Sequence, residues 1–386
     1  MKIAYLSQTA LSDVDFSYIM EAQKIMDITY YILVSPSQRQ KAAINLKSLS
    51  NEFGIIPASK ILELSPFKKI VNLEKVYVVN FTSINNHQFS KISESYQVYK
   101  ELKDKKYDVI HLTWPPSYLD LFIYRLRKKL VLTVHDPFPH SSVISRIREF
   151  ERKKAFRRCS HLILLNKAQK ENFIEYYNLK SKDVYESRLS CYNYLHMHDE
   201  CISEVDNNQI LFFGQIFAHK GVDVLLEAMK IVHEAHPKAR LIVAGSGKYW
   251  FDLKPYENID YIEIRNRYIP DDELVKLVSS SAFVVVPYID ATQSGVIMTA
   301  YTFNRPCIAT NVGALPEMVI DNENGIIVPP KNSVSLASAI NKLIESPNLI
   351  NQFSCAIRDT YKLGNLSWKN IVNEHLVIYN NVNKRK

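Results

Sequence analysis

The sequence predicts an α/β protein of two domains, each a parallel sheet wound with helices, and three observations carry that prediction. Short β-branched or aromatic runs alternate with stretches of helical spacing along most of the chain. The length of 386 residues, 47% hydrophobic and 23% charged, is enough for two cores and excludes a disordered or collagen-like chain. The halves also differ in kind: residues 1–200 carry 30 basic and 21 acidic side chains and residues 201–386 carry 18 and 19, so the formal +8 lies wholly in the first half. Glycine runs the other way. After Gly54 none occurs until Gly214, and Gly221, Gly245, Gly247, Gly295, Gly313, Gly325 and Gly364 follow it.

In the first half, strands are expected at 2–7, 28–34, 76–81, 108–114, 130–135 and 161–165, with helical spacing between them, as at 38–53 and 118–129. The second half is more regular. Strands are expected at 210–214, 239–245, 259–264, 282–288, 306–310 and 325–330, with helices at 222–233, 271–279, 296–303, 315–319 and 334–344. The join is expected around 195–208, to within several residues, where HMHDECISEVDNN is polar and breaks the apolar period. That gives a first domain over 1–200 and a second over 205–365. The last stretch, 368–379, is apolar at helical spacing after Gly364, a plausible helix stop, so residues 368–386 are expected to return to the first domain.

The five cysteines (Cys159, Cys191, Cys201, Cys307, Cys355) include no C-x-x-C pair and are odd in number, which fits a reducing cytosol better than a disulfide framework or a thiolate zinc site. The start MKIAYLSQTALSD lacks a long apolar core, and no run of 18 apolar residues occurs. The chain is expected to be soluble or peripheral.

Open parallel sheets bind ligands beyond the carboxyl ends of their strands, so the strand-to-helix turns are where chemistry is expected. In the turn 213–221, Gly214 and Gly221 let the backbone approach a ligand, and Lys220 offers a point charge to a phosphate at a helix start. An ordinary tight turn with a solvated lysine explains the same residues. The turn at Ala244, Gly245, Ser246 and Gly247 is weaker, since turn chemistry alone produces it as often. Residues 287–296 place Ser294, Gly295 and Val296 at a helix N-terminus, with Thr292 and Gln293 suited to sugar hydroxyls. A start capped by Thr292 or Ser294 is the alternative. Glu317 follows Pro316 in a first turn, where an acid is often only a dipole partner. His135 and Asp136 follow the strand at 130–135 and suit acid/base work or orientation of an acceptor hydroxyl, as well as a purely structural histidine. His196 and His198 have no adjoining third ligand and read as linker surface rather than a metal site.

The positive charge is concentrated. Between Leu121 and Arg158 stand eleven Lys or Arg and three acids, a density that attracts anionic head groups, lipid diphosphates or nucleic acid. Val143, Ile144, Ile147, Phe150 and Phe156 recur there at roughly helical spacing, the pattern of an interfacial helix, although a packed helix with a solvated basic face has the same pattern.

Taken together and in this order, GQIFAHKG, AGSG, NRYIPDDELVKLVSSSAFVVVPY and RPCIATNVGALPEMVIDNENGIIVPP resemble glycosyltransferase family 4, the retaining sugar-nucleotide-dependent enzymes of GT-B fold. VLTVHDPFPH extends the resemblance into the first half. It implies two Rossmann-like, doubly wound domains facing a cleft, the first for the acceptor and the second for the nucleotide sugar, with a final helix crossing back to the first. It also implies that Lys220 and the backbone at Ser294, Gly295 and Val296 hold the donor diphosphate, with Gly214, Gly221 and Gly245 shaping the site. His135 is placed on the acceptor side beside the sugar, with Asp136 and Glu317 accompanying the site. No metal or other cofactor is expected beyond the sugar nucleotide itself.

The sequence departs from the family at three positions. Gln215 stands where the clamp usually has arginine, and Ala291 and Thr299 stand where the family commonly has two glutamates. Asp290, Gln293 and Thr299 are the residues expected to substitute. The expected activity is retaining transfer of a sugar to a lipid-linked saccharide at the cytoplasmic membrane face, with residues 125–158 on the membrane, in bacterial surface polysaccharide assembly such as lipopolysaccharide or capsule. Rival readings are a GT-B relic that binds nucleotide or glycan without turnover, and a nucleotide-sugar 2-epimerase, for which no carboxylate stands beside the donor turn. A nucleic-acid binder lacks the interleaving of aromatic and basic residues, so no nucleic-acid partner is expected.

Overall fold

The computed structural model describes residues 1–384 apart from 42, 84–87, 118–119, 139–145, 166, 168, 180–182 and 292. The chain forms two compact units, Met1–Leu189 with Trp368–Lys386, and Ser190–Ser367. Both are Rossmann-like α/β units on largely parallel sheets.

In the first unit eight strands lie in the order Asp183–Glu186, His161–Leu164, Leu130–Val134, Val109–Leu112, Lys2–Gln8, Asp27–Val34, Val76–Asn80 and Gly54–Pro57. Only the edge strand Gly54–Pro57 is antiparallel to its neighbour. Leu130–Val134 and Val109–Leu112 are buried at every residue, because a parallel sheet is covered on both faces; that is why such strands read as unbroken apolar runs. The winding reverses between Lys2–Gln8 and Val109–Leu112, which pair with Ile3 opposite Val109.

Two expected helices do not form there. Among the described residues, 38–53 hold only a 3-10 turn, Pro36–Gln38, and the two-residue strands Gln40–Lys41 and Ile44–Asn45. The Arg39 guanidinium donates to the carbonyls of Leu49 (2.8 Å) and Ser50 (2.7 Å), folding the segment into a loop that buries Ile44, Leu46 and Leu49. Tertiary bonds of this kind outweigh the local helical preference. Over 118–129 the described helix is 3-10, Leu121–Lys129, broken at Leu126.

The helix Trp368–Lys384 belongs to the first unit and packs on Ser12–Ile25. Its buried face is polar as well as apolar. Tyr379 Oη lies 2.9 Å from Tyr18 Oη and 2.6 Å from His111 Nδ1, while His375 bonds Ser187 Oγ through Nε2 (3.0 Å) and Tyr18 Oη through Nδ1 (3.2 Å). Asp15 accepts from Tyr5 (2.7 Å) and Tyr30 (3.2 Å), and burial pushes its carboxyl up to about 7. Among the described residues no helix is long and apolar enough to cross a membrane.

The second unit has six parallel strands in the order Ile262–Arg265, Arg240–Ala244, Asp206–Phe213, Ser281–Val286, Cys307–Thr310 and Gly325–Val328. This is the doubly wound order in which the winding reverses beside the first strand. The unit begins at Ser190, a few residues before the polar stretch at 195–208. The polar look of that stretch misleads: Tyr194, Leu195 and Met197 alternate with polar residues and are buried in the 3-10 segment Asn193–Cys201, which packs on the helix Asp271–Ser280.

Candidate functional site

The reversal in the second sheet lies between Asp206–Phe213 and Ser281–Val286, so the turns that follow these two strands flank one crevice at the sheet's carboxyl edge. Backbone contacts fasten the turns to each other. Gly214 N–H donates to the Ala244 carbonyl and Ile216 N–H to that of Ser246, both at 3.0 Å. Ile289 N–H donates to the His219 carbonyl at 2.7 Å. Gly245 has φ +151° and a Cβ there would overlap the Gly214 carbonyl; Gly221 has φ +65° and a Cβ there would overlap the Pro287 carbonyl. These two glycines are therefore demanded by turn-to-turn closure itself.

Lys220 ends the short turn Ala218–Lys220, immediately before the helix Val222–Ala235. Its ammonium lies 3.6 Å from the centroid of the Tyr288 ring. Burial pushes its pKa down to about 8, and among the described residues no carboxylate pairs with it to repay the lost hydration. Tyr288 is itself buried, receives a 3.4 Å hydrogen bond from Ser294 Oγ, and has its carbonyl held by Thr310 Oγ1 at 2.5 Å.

The third element is the helix Gly295–Thr302. Ser294 occupies its N-cap position but its side chain caps no backbone N–H, because the hydroxyl is turned to Tyr288. Ser294 therefore leaves the first N–H groups, at the positive end of the helix dipole, without its own side-chain cap. A Cβ on Gly295 would come within 2.7 Å of Tyr192 Oη, and the Val296 side chain is 3.4 Å from where a Gly214 Cβ would sit. The fold thus gathers Gly214, Lys220, Gly221, Gly245, Ser294, Gly295 and Val296 around one crevice. An ammonium beside helix-start amides is a site for phosphate oxygens.

The remaining expected residues are spread more widely. Gln215 and Asp290 are exposed, Gln293 is half-buried, and Thr299 is buried inside its helix. Glu317 is exposed on the short helix Leu315–Met318. Thr292 lies outside the described residues. Tyr288 and Tyr192 were not singled out by sequence reasoning. Tyr288 had one signal, its place directly after Pro287 at a strand's end; Tyr192 had none, being about 100 residues from Gly295 in the chain.

In the first unit, His135 follows the strand Leu130–Val134. Its Nε2 is buried with no hydrogen-bond partner among the described residues. Burial pushes the imidazole down to about 4, with Asp136 pulling the other way, so the ring is neutral at pH 7. The Asp136 carbonyl accepts from Arg152 Nη2 at 2.7 Å. Arg152 is on the basic helix Arg146–Arg158, where Ile147 and Phe150 are exposed. Phe156 corrects the expected interfacial face: it is buried, edge-on to Phe173 (5.1 Å) and Tyr177 (4.9 Å). Val143, Ile144 and His140 lie outside the described residues. Among the described residues no group of three or more His, Cys, Asp or Glu is placed to hold a metal ion.

Two such sheets, with the turns gathered at the reversal of the second, have the architecture of the GT-B class. The model of the group 1 glycosyl transferases matches residues 207–346, and that of glycosyltransferase family 4 matches residues 60–185. The chain belongs to glycosyltransferase family 4 and is a glycosyltransferase of the group 1 type. It is 27% identical to an uncharacterized glycosyltransferase of Methanocaldococcus jannaschii over 71% of this chain and 75% of that one. It is 23% identical to an O-antigen chain mannosyltransferase of Salmonella typhimurium over 59% of this chain and 65% of that one. An Anabaena protein solved in complex with UDP-glucose has the same fold, with a TM-score of 0.65 and 14% identity over 98% of this chain and 100% of that one.

Proposed function

We propose that this chain transfers a sugar from a nucleoside-diphosphate sugar to a hydroxyl of a saccharide acceptor, with retention of configuration. The observation that carries the reading is the position of Lys220, a partly buried ammonium with no carboxylate partner among the described residues, on the ring of Tyr288, whose hydroxyl meets Ser294 at the start of the helix Gly295–Thr302. Negative charge grows on the leaving diphosphate in the transition state, and fixed donors aimed at it stabilise that state more than the ground state. Lys220 and the amides of Ser294, Gly295 and Val296 supply those donors, and no metal is required for the step. With Ala291 replacing one of the family's glutamates, the donor sugar hydroxyls fall to Asp290 and Gln293; Thr299, at the other position, is buried in its helix and takes no ribose contact. Gln215, in place of arginine, leaves the diphosphate clamp one positive charge weaker.

The first unit takes the acceptor. Neutral His135, with a ring nitrogen that has no partner among the described residues, is suited to accept or donate a hydrogen bond at a sugar hydroxyl. The exposed Ile147 and Phe150, among the arginines and lysines of Arg146–Arg158, support attachment to an anionic membrane surface and hence a lipid-linked acceptor. The likeness to an O-antigen chain mannosyltransferase supports a role in bacterial surface polysaccharide assembly on the cytoplasmic side.

The test is thermal stabilisation by UDP-, GDP- and ADP-sugars, followed by donor hydrolysis and transfer assays on Lys220→Ala and His135→Ala protein. One nucleotide class should stabilise the chain, and both substitutions should cut turnover. Unchanged turnover in both overturns the reading.

A further inference from the structure

The first unit has a cavity of about 80 Å³ at the reversal of its own sheet, lined by Ser7 and Gln8 at the end of the central strand, by Trp114 and Asp120, and by Lys91 and Ser95 of the helix Ser90–Asp104. Most of its wall is apolar, with Leu6, Phe81, Val98, Leu112 and Ile123 beside these groups. Trp114, 44% exposed, presents an indole face at its margin. Space on this scale admits a few waters or one substituent of a sugar, not a whole oligosaccharide.

Lys91 sets this cavity apart. The residue is only 5% exposed, and its ammonium lies 3.0 Å from the centroid of the Phe81 ring. No carboxylate stands within 4 Å of it among the described residues. The two nearby acids are engaged elsewhere. Glu94 accepts from Thr82 N–H (2.9 Å), Thr82 Oγ1 and Ser83 Oγ (3.2 Å), and Asp120 accepts from Ser95 Oγ and Ser117 N–H (3.0 Å). Their charges still oppose the desolvation that draws the Lys91 pKa down. A buried ammonium with unassigned donors is costly unless a ligand pairs with it. A methionine would fill the same space against Phe81 without that cost.

We infer that Lys91 selects an acceptor carrying an oxyanion, a carboxylate or a phosphate ester on the sugar ring that enters this cavity. The inference rests on the acceptor role given above to the first unit. The ammonium and the Gln8 side-chain amide receive the anionic group, and the Trp114 indole takes the apolar face of the ring.

The experiment is titration of the full chain with methyl glucoside, methyl glucuronide, glucose 6-phosphate and inorganic phosphate, followed through the carbon-13 signal of dimethylated Lys91, assigned with Lys91→Arg. Saturable shifts with the glucuronide or the phosphates, at least tenfold tighter than with the glucoside, are expected; which anion binds tighter separates a uronic acid from a phosphorylated sugar. Calorimetry should show the preference lost in Lys91→Met and kept in Lys91→Arg. Equal binding of neutral and anionic sugars, no saturable anion binding, or a preference that survives Lys91→Met overturns the inference. Transfer to neutral and acidic acceptors with equal kcat/KM overturns it while leaving the transferase reading intact. Anion binding at Lys91 in a chain that transfers to nothing overturns the transferase reading alone.

Discussion

The Lys220 ammonium lies 3.6 Å from the centroid of the Tyr288 ring, so one strand-end turn of the second unit holds its charge against the aromatic face of another. The ring partly compensates the lost hydration and orients the charge without neutralising it, as a carboxylate would. Because burial holds the Lys220 pKa at about 8, the ammonium is charged below that pH and loses its proton above it. Donor affinity should therefore fall as pH rises through about 8, while Lys220→Arg protein should keep a flat profile to higher pH. Lys220→Ala should lower kcat by about 100-fold or more, the usual cost of removing one donor to a developing charge. A pH series of donor titrations with single-turnover rates checks both.

Gly295 and Tyr192 should be energetically coupled, since a Cβ on Gly295 would lie 2.7 Å from Tyr192 Oη. Gly295→Ala should destabilise the second unit by about 1–3 kcal/mol, the usual range for overpacking. In a Tyr192→Ala background the same change should cost much less. A double-mutant cycle by denaturant unfolding measures the difference, and additive costs would mean that the helix start has room to move.

The buried imidazoles under the final helix predict an acid-sensitive first unit. Burial pushes His375 down to about 4 and His111 well below its usual value, the latter also repelled by His375 and His135. The unfolded chain binds these protons first, so their contribution is fully present above about pH 6.5 and is lost as pH falls toward 4. For His375 the loss is about 3 kcal/mol. Asp15, raised to about 7, acts oppositely: its contribution is fully present below its unfolded value of 3.8 and is lost as pH rises through 7. Relative to wild type, His375→Gln protein should gain stability between pH 6.5 and 4, and Asp15→Asn protein should gain between pH 4 and 7. Melting temperatures across that range separate the two slopes.

Phe150 and Phe156, six residues apart on the basic helix, should behave differently on truncation. Phe156→Ala should cost about 3–5 kcal/mol of stability, because the ring is buried against Phe173 and Tyr177. Phe150→Ala should leave stability within about 0.5 kcal/mol, since the ring is 59% exposed, and should weaken flotation with phosphatidylglycerol vesicles. Equal flotation of Phe150→Ala and wild-type protein would argue against membrane attachment through this face.

Much of the second unit was legible in advance because its information is local. Buried parallel strands such as Ser281–Val286 are nearly unbroken apolar runs, and amphipathic helices such as Val222–Ala235 bury the face that their spacing marks. The first unit was less legible where distant groups intervene. The helical spacing at 38–53 is real, yet the Arg39 guanidinium binds two carbonyls ten and eleven residues away and a loop results. The polar stretch before Asp206 conceals Tyr194, Leu195 and Met197, whose burial depends on a helix some 80 residues later.

By itself, the sequence determined the alternation of strands and helices, the family, and the order of the turns that carry Gly214, Lys220, Gly245 and Gly295, because each is written in a few consecutive residues. Tertiary structure alone decided what those residues meet. The positions of Tyr288 beneath Lys220, of Tyr192 over Gly295, and of Lys91 in a largely apolar cavity depend on contacts between residues remote in the chain. The burial that follows from such contacts sets the cost of each charge, and local spacing carries no record of it.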